Sequence, residues 1–366
     1  MKKRTLGLIS ANYTSDELLA LTESRTVATI PFGGRYRLID FPLSNLTNSD
    51  IRTVGLITPY YYRSIMDHIE AGKPWELDRK IGGLFVLPGT VYGERKKTSR
   101  FLIRDLIRNR RILDRSSSDF VLMCDTSAVM NCDLKPFIDA HAESGCPISL
   151  MYVNEAGKKN RTYIKTDAKN RVTKLERGES KLTKLFNGYL IINRNFLLDF
   201  IDWYKALDNE DIMEVITNNA EKYEINAYEC PCYCGIIETI ADYKKVSRDL
   251  LDHEVRTELF EQDNIIQTKI SDESPTIYKP SASVKKSLVA AGCIIEGTVE
   301  NSIIFRRTTI KKGAVVKDAI IMQQNVIEAD ATVINAICDK YVHIGRKTHI
   351  EGSADNPVVI KKNTII

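Results

Sequence analysis

The sequence predicts an α/β domain with a mainly parallel sheet, followed by a parallel β-helix. Three observations carry that expectation. Up to about residue 250, short apolar strands alternate with helical stretches, the pattern of a sheet covered by helices. After a polar connector containing Asp272-Glu273-Ser274-Pro275, the texture changes to a repeat close to six residues. The length, 366 residues, also exceeds one ordinary domain, since chains divide at roughly 150 residues per domain.

The first strand is expected over 5–10, where Thr-Leu-Gly-Leu-Ile-Ser forms a compact apolar run. Segments 53–58, 120–123, 148–153 and 189–192 read the same way, each apolar and flanked by polar or turn residues. A helix is expected over 44–49 from its Ser/Asn-rich start. A second is expected over 134–144, where Phe137, Ile138 and His141 fall at helical spacing and Gly145 follows as a stop. A third, mixed helix is expected over 240–260.

Beyond the connector, one aliphatic or small β-former recurs at Ile294, Val299, Ile304, Ile310, Val315, Ile321, Val326, Thr332, Ile337, Val342 and Thr348. Every step is five or six residues. A repeat near six with β-branched residues at the repeat position is the signature of a hexapeptide β-helix. Each coil supplies three short strands whose inward aliphatics stack on the next coil, so no coil is stable alone. The expected division is an α/β domain over 1–255, a linker over 256–280 and the β-helix over 281–366. Solenoids expose flat faces and open ends, which favours oligomers.

Composition excludes several classes. There are 52 Lys+Arg against 48 Asp+Glu, a net charge of +4, whereas a nucleic-acid-binding domain usually has a pI above about 9 and a clustered basic face. No run approaches the roughly 18 apolar residues a membrane span needs. The basic start, Met1-Lys2-Lys3-Arg4, is followed by too short an apolar run for a signal peptide. The chain is therefore expected in the cytoplasm, without nucleic acid or membrane as partner. Glycine is scarce, at 19 against roughly 26 for average usage.

Eight cysteines, at 124, 132, 146, 230, 232, 234, 293 and 338, include no C-x-x-C pair. They read as free thiols of a reducing compartment. The run Cys230-Pro231-Cys232-Tyr233-Cys234 would put three sulfurs on one face of a strand. A structural zinc wants four ligands, and no neighbouring His or Cys in sequence supplies the fourth. No metal site is expected.

The segment Pro31-Phe32-Gly33-Gly34-Arg35-Tyr36-Arg37-Leu38-Ile39-Asp40-Phe41-Pro42-Leu43-Ser44-Asn45 resembles the P-F-G-G-[RK]-[YF]-R-x-I-D-F-x-L-S-N stretch of the ADP-glucose pyrophosphorylases (glucose-1-phosphate adenylyltransferases). Asn48-Ser49-Asp50-Ile51, Trp75-Glu76-Leu77-Asp78-Arg79, Gly82-Gly83 and Leu87-Pro88 follow in that family's order, and the resemblance runs over essentially the whole chain. It implies a Rossmann-like nucleotidyltransferase domain with a mostly parallel mixed sheet and a C-terminal left-handed β-helix. It also implies a reaction in which ATP and glucose-1-phosphate give ADP-glucose and pyrophosphate, the committed step of bacterial glycogen synthesis. In that reaction the sugar phosphate attacks the α-phosphorus while Mg²⁺ and cationic groups neutralise the triphosphate.

The family's catalytic parts are altered here one after another. Its glycine-rich loop after the first strand reads Ser10-Ala11-Asn12-Tyr13-Thr14-Ser15-Asp16-Glu17. This stretch has no glycine to let backbone N–H groups wrap phosphates. Val27 stands where the family has a lysine. Asp125, in Cys124-Asp125-Thr126, keeps one candidate metal carboxylate, but Ile236 stands where the second is expected. On the sugar side, Glu176 and Arg177 match the family's F-x-E-K-P loosely, and Gly188 matches its S-M-G. A G-T-A triplet falls near Thr98-Ser99-Arg100. Together the losses resemble the non-catalytic, GlgD-type subunits of the family. No catalytic residue and no cofactor are then expected in this chain, with Mg²⁺ serving a catalytic partner in a hetero-oligomer, a heterotetramer, or a homo-oligomer. The alternative is an active adenylyltransferase with a divergent nucleotide loop.

Arg35 and Arg37 are candidates for a regulatory sugar phosphate or nucleotide, because the basic residue matching Arg35 lies near the activator site in the family; a salt bridge from Arg35 to Asp40 or Asp50 is the structural alternative. Arg100, Arg104, Arg108, Arg111 and Arg115 recur at helical spacing, which predicts one basic helix face, solvated or facing an anionic effector or partner. His343 and His349 lie in the solenoid, where hexapeptide acyltransferases carry a catalytic histidine. The full-length α/β portion argues against that second class of function.

Overall fold

A computed structural model describes residues 3–58, 62–90, 99–158 and 161–366. They form two compact units, each assembled from separate stretches of sequence. The first comprises residues 1–14, 39–234 and 262–267, and the second 15–38, 235–261 and 268–366.

The first unit is built on a nine-stranded mixed sheet. Thr5–Ser10 lies parallel to Thr53–Thr58 on one side and to Phe120–Cys124 on the other. Thr53–Thr58 in turn pairs in parallel with Gly83–Pro88. Lys184–Asn193 then runs antiparallel to Phe120–Cys124, Ile148–Asn154 and Thr162–Thr166. Val172–Arg177 adds an antiparallel edge, and Ile225–Glu229 lies parallel to Ile148–Asn154. Leu6, Leu8, Val121, Met123, Leu190 and Ile192 share one core. Alternate residues of adjoining strands thus face the same side of the pleat.

Helix Asp40–Asn48 starts earlier than the Ser/Asn cluster suggested. Pro42 is tolerated because it sits in the first turn, where its missing N–H breaks no helical bond. Helix Lys135–Ser144 matches the expected span, and Gly145 ends it with φ +68°.

The second unit carries the solenoid. Three parallel sheets of five short strands each begin at Ile277–Tyr278, Ser283–Lys285 and Leu288–Val289. The repeat is the expected one, but its inward phase falls one residue later at several steps. Ile295, Val316, Ile327 and Val333 fill the core rather than Ile294, Val315, Val326 and Thr332. Paired β-branched residues make both phases look alike in sequence, and only the inward one packs. Asn301, Asp318, Gln324 and Asp330 take positive φ in the turns between strands, a conformation Asn and Asp tolerate better than most residues.

This unit also holds the hairpin Pro31–Phe32 with Tyr36–Arg37. The one helix expected over 240–260 is two, Ile240–Asp249 and His253–Phe260. Asp252 makes the break: its backbone is extended and its carboxylate accepts the Glu254 N–H at 2.8 Å, starting a new helix. Thr239 and Asp242 cap the first helix reciprocally.

Candidate functional site

Neighbouring parallel strands Thr5–Ser10 and Phe120–Cys124 end side by side, so their carboxyl ends deliver Ala11-Asn12-Tyr13 and Asp125-Thr126-Ser127 to one place. In open α/β sheets that edge is where ligands bind. Gly188 joins them from the next strand, its carbonyl accepting the Asp125 N–H at 3.1 Å. Gly188 has φ +99°, and a Cβ there would lie 2.4 Å from the Asp125 carboxylate. Only glycine allows that approach.

Asp125 is fully buried. Arg100 Nε donates to Oδ2 at 2.7 Å and Arg161 Nη1 to the same oxygen at 3.1 Å. Ser127 donates to Oδ1 through its N–H at 2.8 Å and its hydroxyl at 2.7 Å. Arg161 also bonds the Ser127 hydroxyl. Burial alone would push the Asp125 carboxyl up; Arg161 and Arg100, with Ser127, hold it below the usual carboxylate range. Arg100 is itself fixed, because Asp211 Oδ2 accepts its backbone N–H at 2.6 Å and that of Phe101 at 2.9 Å.

The family's divalent cation does not fit these residues. Magnesium requires open carboxylate oxygens in near-ideal octahedral geometry, and both oxygens of Asp125 already take two donors each from Arg or Ser. Ile236 and Val27, at 2% and 1% exposure, are buried apolar side chains and offer neither a ligand nor a positive charge.

The loop after the first strand is packed with side chains. The Tyr13 ring lies under the Arg100 guanidinium, 4.9 Å from centroid to Cζ, and its hydroxyl accepts from Thr126 at 3.2 Å. Burial, then the Asp125 charge, drives the Tyr13 phenol further up, so it stays neutral. Asn12 donates to Thr90 O at 3.2 Å and to Asp105 Oδ2 at 3.3 Å. The cavity lined by Arg100, Asp125, Arg161, Arg177, Gly188 and Glu214 encloses about 40 Å³. That is room for a water molecule or so, against roughly 300–1,000 Å³ for small-molecule sites.

Among the sugar-side candidates, Arg177 and Gly188 reach this cavity and Glu176 does not. Arg177 is paired with Glu214. Glu176 accepts from Lys174 at 2.7 Å and Ser180 at 2.6 Å, and these bonds, Lys174 first, hold it below the usual range. Nothing in the spacing of Arg161 marks it in the sequence. Thr98, at the triplet near the nucleotide, lies outside the described residues.

The arginine stripe is not one helix face. Asn109 breaks it into Ile103–Arg108 and Arg110–Asp114. Arg100 points to Asp125, Arg104 pairs with Asp208 at 2.8 Å, and Arg108, Arg111 and Arg115 are exposed.

In the second unit, Arg35 is exposed and stacks over Tyr36, 5.2 Å from its ring, while Tyr36 stacks on Phe260 at 4.8 Å. Arg306 donates to the Arg35 carbonyl at 2.8 Å. A cavity of about 500 Å³ is lined by Gly34, Arg35, Arg256, Lys269 and Arg306, among others. Arg37 is not on that wall. Its charge, with that of Arg25, acts on Lys340, whose ammonium is pulled down to about 7, chiefly by burial. Asp40 and Asp50, the alternative partners for Arg35, lie against His68 at 2.5 Å and Arg52 at 3.6 Å. His343 and His349 face Glu328 and Glu351 at 3.7 and 3.0 Å.

Cys230 to Cys234 are not in a strand, and a fourth cysteine does lie beside them. Cys132, remote in sequence, is brought next to Cys230 and Cys232. Among the described residues, no helix is long and apolar enough to cross a membrane.

Comparison with known proteins agrees with both halves of the fold. A nucleotidyl transferase family model matches residues 14–178, and a GlmU-like, C-terminal hexapeptide model matches 276–356. Glycogen biosynthesis protein GlgD of Bacillus subtilis (strain 168) is 32% identical over 361 residues, 98% of this chain and 96% of its own length. GlgD of Geobacillus stearothermophilus is 33% identical over 367 residues, covering 100% and 98%. A glucose-1-phosphate adenylyltransferase of Clostridium perfringens (strain SM101) is 28% identical over 386 residues, covering 96% and 99%.

Proposed function

This chain belongs to the GlgD family of glycogen biosynthesis proteins, relatives of the glucose-1-phosphate adenylyltransferases, and from that premise we propose that it is a regulatory subunit without chemistry of its own. It acts in the cytoplasm, in a hetero-oligomer with a catalytic homologue that makes ADP-glucose from ATP and glucose-1-phosphate with Mg²⁺. One observation carries the reading. The remaining carboxylate of the family's metal pair, Asp125, is buried under Arg100 and Arg161, so its charge is spent on the chain's own cations. The filled loop at Tyr13, the apolar Val27 and Ile236, and the small cavity support the same conclusion.

A subunit of this kind acts by stabilising one conformation of its partner, which is a coupling free energy of roughly 1–3 kcal/mol, or about 5–150-fold. The 500 Å³ cavity at Arg35, rimmed by Arg256, Lys269 and Arg306, supports a phosphorylated sugar or nucleotide as effector, because arginine forks match phosphate oxygens. The test is to mix this chain with the catalytic homologue and follow ADP-glucose formation against activator concentration. A changed Vmax or activator midpoint is expected. An unchanged titration, with no complex on gel filtration, contradicts the proposal.

A further inference from the structure

Three cysteines from two distant stretches of the first unit meet at one point, and a fourth lies beside them. The Sγ atoms of Cys132, Cys230 and Cys232 all lie within 4.8 Å of one another, and Cys230 and Cys232 are 3.5 Å apart. Cys234 adjoins Cys230, and the Met130 sulfur is 3.8 Å from it. Zinc–sulfur bonds of about 2.3 Å in a tetrahedron put thiolates about 3.8 Å apart, close to the 3.5 Å between Cys230 and Cys232, while Cys234 lies beside Cys230 but outside the three-sulfur group. The other four cysteines are each buried and take no part in the group.

Both arms are held before any ion arrives. Asn45 clamps the loop bearing Cys132, donating to Met130 O at 3.0 Å and accepting the Cys132 N–H at 3.1 Å. Ser49 accepts the Leu134 N–H at 2.7 Å just beyond. On the other arm the Cys230 N–H donates to Tyr152 O at 2.8 Å, which fixes where the chain leaves strand Ile225–Glu229. Closing a four-sulfur sphere brings Cys234, now held by Asn187 at 3.9 Å, toward the Cys132 and Cys232 sulfurs. Cys230, Cys232 and Cys234 are only partly buried as residues.

We propose that Cys132, Cys230, Cys232 and Cys234 bind one zinc ion as a structural clip between the 130–134 loop and the 230–234 segment. Four soft sulfurs and no carboxylate select zinc over magnesium or calcium. Binding replaces thiol protons with the metal and involves no electron transfer. This inference is independent of the regulatory reading, since a clip in the first unit serves an active or an inactive chain alike.

The full-length chain, purified without chelator, is analysed for metal and then titrated with Co²⁺ after zinc removal. About one zinc per chain and intense sulfur-to-cobalt charge-transfer bands are expected. Cys132→Ser, Cys232→Ser and Cys234→Ser each weaken Co²⁺ binding by about tenfold or more, while Cys146→Ser leaves it unchanged. In the unmutated chain, mass-mapped alkylation shows Cys230 and Cys232 protected until chelator is added, a readout that needs no variant to fold. Absence of zinc together with absence of charge-transfer bands, or a Cys230–Cys232 disulfide in freshly purified protein, overturns the proposal.

Discussion

Arg161 Nη1 stands 3.1 Å from Asp125 Oδ2, and both side chains are almost wholly buried, at 3% and 1% exposure. With Arg100 on the same oxygen, the pair turns a residue type suited to metal binding into the centre of an internal ion cluster. Its worth to the fold is large only while it is complete. Removing one partner of a buried pair strands a charge and costs about 3–5 kcal/mol.

Arg161→Ala is therefore expected to destabilise the first unit, by less than the about 3–5 kcal/mol of a fully stranded charge, because Arg100 and Ser127 still donate to Asp125. Urea unfolding followed by tryptophan fluorescence reads the loss. Replacing Arg161 and Asp125 together by Leu and Asn should recover part of it, because the uncompensated charge goes with its partner.

The acid limb of stability should depend on Asp125. Its folded carboxyl is held below its ordinary value, so it contributes stability above the unfolded pKa of about 3.9. That contribution is lost as pH falls through the lower, folded value. Asp125→Asn should flatten this limb in thermal melts taken over falling pH.

His141 should dominate between pH 6.5 and 4. It is buried between Ser149 Oγ at 2.7 Å and Asn193 Oδ1 at 3.0 Å. Burial lowers its pKa to about 4. The unfolded chain takes up the proton near pH 6.5 and the folded one does not, so stability falls as pH drops through that window, by up to about 3 kcal/mol. His141→Gln should remove most of that slope.

The solenoid core makes a packing prediction. Ile310 is fully buried between coils, and Ile310→Ala should cost about 2–5 kcal/mol. Thr309→Ala, whose residue is only partly buried beside it, should cost much less. Parallel urea melts of the two variants separate the inward phase from the outward one.

The fold was readable because its signals are local and repeated. Strand 5–10 and helix 134–144 follow from apolar runs and a glycine stop, and the solenoid from a step of five or six. The inward phase was harder, since Ile294 and Ile295, or Val315 and Val316, present two β-branched residues in a row. Val27, Asp125 and Ile236 stand out in the sequence because a family motif fixes their places. Arg161 and Cys132 do not, because each acts on a partner that only the sheet brings near. Arg100 was visible as one of five arginines, but nothing in a spacing of three or four says which one turns inward.

The most direct test of the central claim is to incubate the purified chain alone with ATP, Mg²⁺ and glucose-1-phosphate and to measure ADP-glucose. Turnover no higher than in a protein-free control is predicted, because the one surviving carboxylate is held by Arg100 and Arg161. Sustained ADP-glucose formation by the chain alone, at rates ordinary for an enzyme of about 1 s⁻¹ or more, would contradict the account.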